Sequence, residues 1–325
     1  MAPRLNPGDF NFSFNWSFEF RIPSRVPVNS LNITVIVLGF VGFLMNMLLL
    51  FVLYKDPLKR FRNPANVFIT SLAMADTLSV SFMVLSKLVP MMVSARLVFV
   101  QTVFSGIMMV GTQSLFLVVA MLASERFSAI VFPFRYKSVA TTRRACYANL
   151  ASWCVALVVA SIFYLSPKHN STWLVFMYSG EIVVLCFVTL LMYPVMYRRF
   201  CREGKRICAL NSGVSGFADR RLQLNKQLTV TVLLITSTVV ISNVPYLLSS
   251  VFVWFDCTRC LLDPVFLELC VFYPVVYVCY FTMNPLIYAW RLAIYRKSLT
   301  IVFCGRQQQP RSSTQATNNE VVRAL

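Results

Sequence analysis

Apolar residues fall in long runs along this chain, separated by short polar intervals. Seven runs, at approximately 31 to 54, 64 to 92, 97 to 130, 145 to 166, 173 to 197, 224 to 255 and 264 to 290, are each long enough to cross a bilayer. Hydrocarbon offers no water to backbone N–H and C=O groups, so such runs must close their hydrogen bonds internally as helices. The pattern predicts an all-α membrane protein, a seven-transmembrane helix bundle. After the seventh run, Leu292 to Cys304 alternates basic and apolar faces, as a short amphipathic eighth helix on the membrane surface would. The expected divisions are a 1–30 N-terminal segment, a 31–291 bundle, a 292–304 surface helix and a 305–325 tail.

Composition supports this reading: 58% of residues are hydrophobic and 13% charged, far from a soluble balance. A net charge of +18 would suit a nucleic-acid binder if it formed one patch. Instead, 23 of the 30 Lys and Arg residues fall in the intervals after runs one, three and five, at the helix ends bordering them, and in the tail, which all lie on one side of a seven-helix chain. That side is cytoplasmic by the positive-inside rule, and the N-terminus is therefore outside. Nucleic acid is not an expected partner; membrane lipid is. The sequons at Asn11, Asn15 and Asn170 fall on the outer face, where glycosylation takes place. Asn32 is a fourth, too near the first helix to be assigned. The opening MAPRLNPGDF lacks an apolar core, so the first helix is expected to direct insertion.

Ionisable groups are costly in a bilayer and call for an explanation. Asp76 lies in the middle of the second run, with Asn46 in the first and Asn284 in the seventh as possible neighbours. The cluster is either a hydrogen-bonded packing device or an ion or proton site. At the inner end of the third run stands Glu125-Arg126-Phe127, followed by Ala129-Ile130 and by Pro133-Phe134. Further anchors occur in order: Asn63-Pro64-Ala65-Asn66 with Leu72-Ala73-Met74-Ala75-Asp76, Trp153, Pro245, and Asn284-Pro285-Leu286-Ile287-Tyr288.

In these motifs the chain resembles the rhodopsin-like receptors that couple to G proteins, over residues 31 to 304 apart from an inner loop at 204 to 221. The departure within the dyad motif is Phe127 where the family has Tyr. The resemblance implies a plasma-membrane receptor that binds an extracellular ligand and activates a heterotrimeric G protein. Glu125 would hold Arg126 at rest, and its release would free a rigid five-donor fork for the partner. Pro285 removes a backbone bond, letting helix seven bend and carry Tyr288 inward toward Tyr193 and Arg126. Phe134 is either an apolar plug into the G protein or a loop side chain packed on lipid. Cys304 is a candidate palmitoyl site. Ser312, Ser313, Thr314 and Thr317 in the tail could take phosphates from a receptor kinase and recruit arrestin.

Several departures narrow the picture. No cysteine precedes Cys146, and Gln101 stands where the family's bridging cysteine falls, so the usual link from helix three to the second outer loop cannot form. With a very short second outer loop and Leu185 in place of a helix-five proline, this resembles the melanocortin, adenosine, cannabinoid and lysophospholipid receptors, especially the melanocortin branch. As in melanocortin and adenosine receptors, Cys257 and Cys260 would form a local disulfide; two free thiols are the alternative. Asn243 replaces the helix-six Trp and Val239 the Phe below it. Asn225 replaces the acid that ties Arg126 to helix six, which predicts high basal activity. Leu115 and Tyr280 replace polar partners of a sodium site.

Ligand anchors known from relatives are missing. Ser86, Gln101 and Ser105 stand where melanocortin receptors carry acids, Met108 where amine receptors carry Asp, and Ser250 where adenosine receptors carry Asn. The seventh run has no Lys for a retinal Schiff base. What remains in the outer half is Lys87, Met108, Thr112, Gln113, Glu181 and Ser250, suited to a small amphiphilic or zwitterionic ligand. No cofactor or metal site is expected, and the single histidine, His169, excludes a His-based triad, so an enzyme is not expected either. The competing classes are a receptor-like protein that does not couple, because the helix-six switch is altered, and a transporter using Asp76 and Glu181. The lack of an internal repeat and the separation of the polar groups oppose the transporter.

Overall fold

The computed structural model describes residues 28–58, 63–92, 98–165, 171–209, 215–255 and 263–305. All regular structure among them is helical: α1 (Val28–Lys55), α2 (Pro64–Met92), α3 (Val98–Val131), α4 (Pro133–Val139), α5 (Thr142–Leu165), α6 (Ser171–Ala209), α7 (Ser215–Ser242), α8 (Val244–Trp254), α9 (Pro264–Arg291) and α10 (Ala293–Cys304). Seven membrane-length apolar segments lie within α1, α2, α3, α5, α6, α7 and α9. The side chains fit a lipid setting: Phe40, Leu44, Phe51, Val184 and Phe187 face outward, while Asn46, Asp76 and Asn284 are buried at the centre.

Local chemistry sets the ends. Asn63 accepts from the Asn66 amide at 2.9 Å, and Pro64, which has no N–H to lose, is the first residue of α2. Asp263 and Pro264 repeat the device on α9, where the Asp263 carboxylate accepts from Val265 and Phe266. After α1, Asp56 takes a left-handed φ of 38°. Gly305 does the same at 60° after α10 and donates its amide to the Ile301 carbonyl at 3.1 Å.

Helices α2 and α3 approach closely at Gly111. A Cβ there would strike the Ser79 hydroxyl and come within 3.1 Å of the Ala75 carbonyl. Trp153 of α5 donates its indole N–H to Ser71 of α2 at 2.8 Å. Asn46 of α1 donates to the Phe281 carbonyl of α9 at 2.9 Å and to Gly42 of its own helix at 3.0 Å.

Three sequence expectations change. The fifth apolar run continues as helix to Ala209 instead of stopping near 197, and α7 begins at Ser215, so the inner loop expected at 204 to 221 is helical at both ends. Hydropathy marks only the lipid-crossing part; Arg, Glu and Lys carry a helix on into water. The loop after α3 is itself a short helix, with Pro133 at its start. The single sixth helix is divided at Asn243. Pro245 cannot donate to the carbonyl four residues back. The Asn243 amide turns to Val240 at 3.1 Å, while its side chain donates to the Val239 carbonyl at 2.8 Å.

Candidate functional site

Three polar groupings sit at different depths in the bundle. The innermost lies at the foot of α3. Arg126 donates through Nε and Nη2 to the two carboxylate oxygens of Glu125, a buried forked pair. Tyr136 of α4 donates its hydroxyl to the same carboxylate. Burial, then the neighbouring Glu125 charge, pushes the Tyr136 phenol well above its ordinary range, which keeps it a donor. Arg126 also lines a cavity of about 270 Å³ with Asn66, Tyr136, Asn225 and Tyr295. Burial raises the Tyr295 phenol to about 12. Phe127 packs edge-on to Phe132, with centroids 6.2 Å apart, and Phe134 is 89% exposed.

The expected meeting of Tyr193 and Tyr288 near Arg126 is absent from this conformation. Tyr288 is buried and its hydroxyl has no hydrogen-bond partner; Tyr193 lies beside Thr236 of α7. That meeting is expected of an active state, and Arg126 here is on Glu125.

At mid-depth Asn284 donates to Asp76 Oδ2 at 2.8 Å. Asp76 is 0% exposed. Of the two neighbours expected for it, Asn284 is the one that bonds, and Asn46 ties α1 to the α9 backbone instead. Pro285 follows Asn284 within the unbroken α9.

Above these, Asn243 joins three helices. Its Oδ1 accepts from Tyr273 of α9 at 3.2 Å and stands 3.4 Å from the Tyr178 hydroxyl of α6. Tyr178 packs edge-on to Phe116 at 5.3 Å and Tyr246 at 4.7 Å, and Tyr277 pairs with Thr112 at 3.0 Å. The helix-six position that lacks the family's Trp is thus a hydrogen-bonded joint, not a gap.

Candidate pocket residues divide unevenly. Met108 is buried, Thr112 is taken up by Tyr277, and Ser250 bonds the Leu247 carbonyl of its own helix at 2.8 Å. Lys87 is 9% exposed. Glu181 interacts with Gln113 of α3. Cys304 is an exposed free thiol at the end of α10. Asn11, Asn15, Asn170, Cys257, Cys260 and the tail from Arg306 lie outside the described residues.

Sequence reasoning missed Tyr136, Tyr178, Tyr273 and Tyr277. The intramembrane tyrosines did leave a signal, since a buried phenol must find a partner for its O–H. Tyr136 left none, because no helical spacing links it to Glu125 across the turn between α3 and α4.

Known proteins share this framework. The family model for seven-transmembrane receptors of the rhodopsin family matches residues 45–288. Melanocortin receptor 5 of Pan troglodytes is 25% identical over 279 residues, spanning 83% of this chain and 82% of that protein. Melanocortin receptor 3 of Homo sapiens is 25% identical over 285 residues, spanning 82% and 83%. The crystal structure of squid rhodopsin superposes with a TM-score of 0.68 at 17% identity, covering 92% of each chain. The chain belongs to the rhodopsin family of seven-transmembrane, G-protein-coupled receptors.

Proposed function

We propose that this receptor activates heterotrimeric G protein to a high level without ligand, and that a small extracellular amphiphile adjusts that output. The observation that carries the reading is the partner set of Arg126. Its counter-charge, Glu125, is on its own helix, and the group facing it across the cavity from α7 is the uncharged Asn225. No ion pair among the described residues fastens α3 to α7. Outward movement of α7 therefore breaks no interhelical salt bridge, and the resting population is held by Glu125 and Tyr136 alone.

In this reading Glu125, Arg126 and Phe127 form the coupling switch and Phe134 the exposed apolar contact for the G protein. Asn284, Pro285, Tyr288 and Tyr193 carry the inward shift of α9 toward α6. Asn243 replaces an aromatic pivot by hydrogen bonds, and Asn46 and Asp76 hold the polar core. Lys87, Met108, Thr112, Glu181 and Ser250 surround the outer ligand region. The N-terminus is extracellular, with glycans on Asn11, Asn15 and Asn170 and a Cys257–Cys260 bridge. The cytoplasmic tail takes receptor kinase and arrestin, and Cys304 takes a palmitoyl chain. The test is nucleotide exchange on purified G proteins by the receptor in lipid nanodiscs. Exchange above empty discs without ligand is expected, with a reduction in Asn225→Glu; a wild-type rate equal to empty discs rejects the proposal.

A further inference from the structure

The outer half of the bundle holds a carboxylate, Glu181, for which no ion pair is seen among the described residues. Glu181 lies on the inward stripe of α6, shared with the buried Tyr178, Ile182 and Leu185. Of the other described outer acids, Asp263 caps α9 and Glu268 is exposed. Glu181 is half-buried, and its Oε2 has no hydrogen-bond partner. A buried charge without a partner is costly, and proteins keep one where something else completes it.

The second observation is Gln113 on α3, which interacts with Glu181. Gln113 is 1% exposed, yet its Nε2, a double donor, has no acceptor. Tyr246 of α8 is also within electrostatic reach of Glu181. Three helices thus converge on an acceptor oxygen, Glu181 Oε2, and a double-donor nitrogen, Gln113 Nε2, whose side chains interact without closing a hydrogen bond at bonding distance. The surrounding side chains, Met109, Phe116, Tyr178 and Ile182, are buried and apolar or aromatic.

We infer that Glu181 and Gln113 form the polar subsite for the ligand head group, and that the group is an ammonium with a neighbouring hydroxyl or carbonyl oxygen. The ammonium donates to Glu181 Oε2, and the oxygen accepts from Gln113 Nε2. The hydrocarbon part of the ligand lies along the apolar walls. This rests on the amphiphile reading above and narrows it to amino alcohols and amino amides. Carboxylate-headed lipids are excluded by repulsion at Glu181.

The test is thermal unfolding of the intact receptor in neutral phosphatidylcholine nanodiscs with 2-amino-1-dodecanol, dodecylamine, 1-dodecanol or dodecanoate. The amino alcohol should raise the melting temperature most, dodecylamine less, and the other two not above their effect on an unrelated membrane protein. Glu181→Gln, nearly isosteric, should weaken the apparent affinity for both amines at least tenfold. Glu181→Asp, which keeps the charge, should retain the preference for amines. Gln113→Leu should remove the advantage of the amino alcohol over dodecylamine. No rise in wild type, or an equal rise in Glu181→Gln, overturns the subsite; in the first case the two side chains serve only each other. Coupling is read separately: an amine shift without basal nucleotide exchange rejects the proposed basal activity and leaves the subsite standing.

Discussion

Replacing Glu125 by Gln isolates the contact that holds Arg126 at rest. The pair is forked, with two guanidinium nitrogens on two carboxylate oxygens, and both side chains are buried. Deleting one partner of such a pair outright costs roughly 3–5 kcal/mol. Gln keeps one acceptor oxygen for Arg126 or Tyr136, and the guanidinium already borders the inner cavity where water can reach it. The resting conformation should therefore lose ~1–2 kcal/mol relative to the active one, about a 5- to 30-fold rise in the active-to-resting ratio. The assay is ligand-free nucleotide exchange in membranes carrying equal surface amounts of wild type and Glu125→Gln. Unchanged exchange at matched expression would refute the idea that this ion pair sets the resting population.

Asn243→Leu keeps the branching of the side chain but removes the acceptor shared by Tyr178 and Tyr273 and the donor to Val239. At ~0.6 kcal/mol per interhelical hydrogen bond within a membrane, the joint should weaken by about 1 kcal/mol. A lower melting temperature and a change in ligand-free exchange are expected; identical values for both would remove Asn243 from the switch. Gly111→Val drives a side chain into Ser79 and Ala75 of α2, with a cost of ~1–3 kcal/mol. Reduced surface expression and melting temperature should follow, and normal values would contradict the close approach of α2 and α3. Tyr295 has a folded pKa of about 12, above the ordinary phenol value of 10. The unfolded chain releases this proton first, so stability is full below about pH 10 and falls as pH rises through about 12. Tyr295→Phe should flatten that part of the alkaline unfolding curve, and an unchanged curve would count against burial of the phenol.

The bundle was legible because hydrocarbon imposes a long apolar helix on every crossing, and Leu72, Val118 and Phe281 lie inside that signal. The inner site was nearly as legible: neighbours in sequence, Glu125 and Arg126 needed no folding to meet. Beyond the membrane the signal weakens, which is why the extension of α6 to Ala209 and the short helix at Pro133–Val139 were not foreseen. Where contacts join distant helices, residue type alone falls short. Asn243 reads as the loss of an aromatic until Tyr178 and Tyr273 arrive from α6 and α9. Asn46 reads as a partner of Asp76 until its amide is found on the Phe281 carbonyl. The outer pocket was the least legible part, because Thr112 and Ser250 look available in sequence and are already bonded within the protein.

The central claim is ligand-free coupling through Arg126, and its most direct measurement is nucleotide exchange on purified G proteins by receptor reconstituted in nanodiscs. Wild type should exceed empty discs, Asn225→Glu should fall below wild type as α7 gains a charge for Arg126, and Arg126→Ala should return to the empty-disc rate. Wild-type exchange equal to empty discs with every G-protein class, or full exchange in Arg126→Ala, would contradict the account.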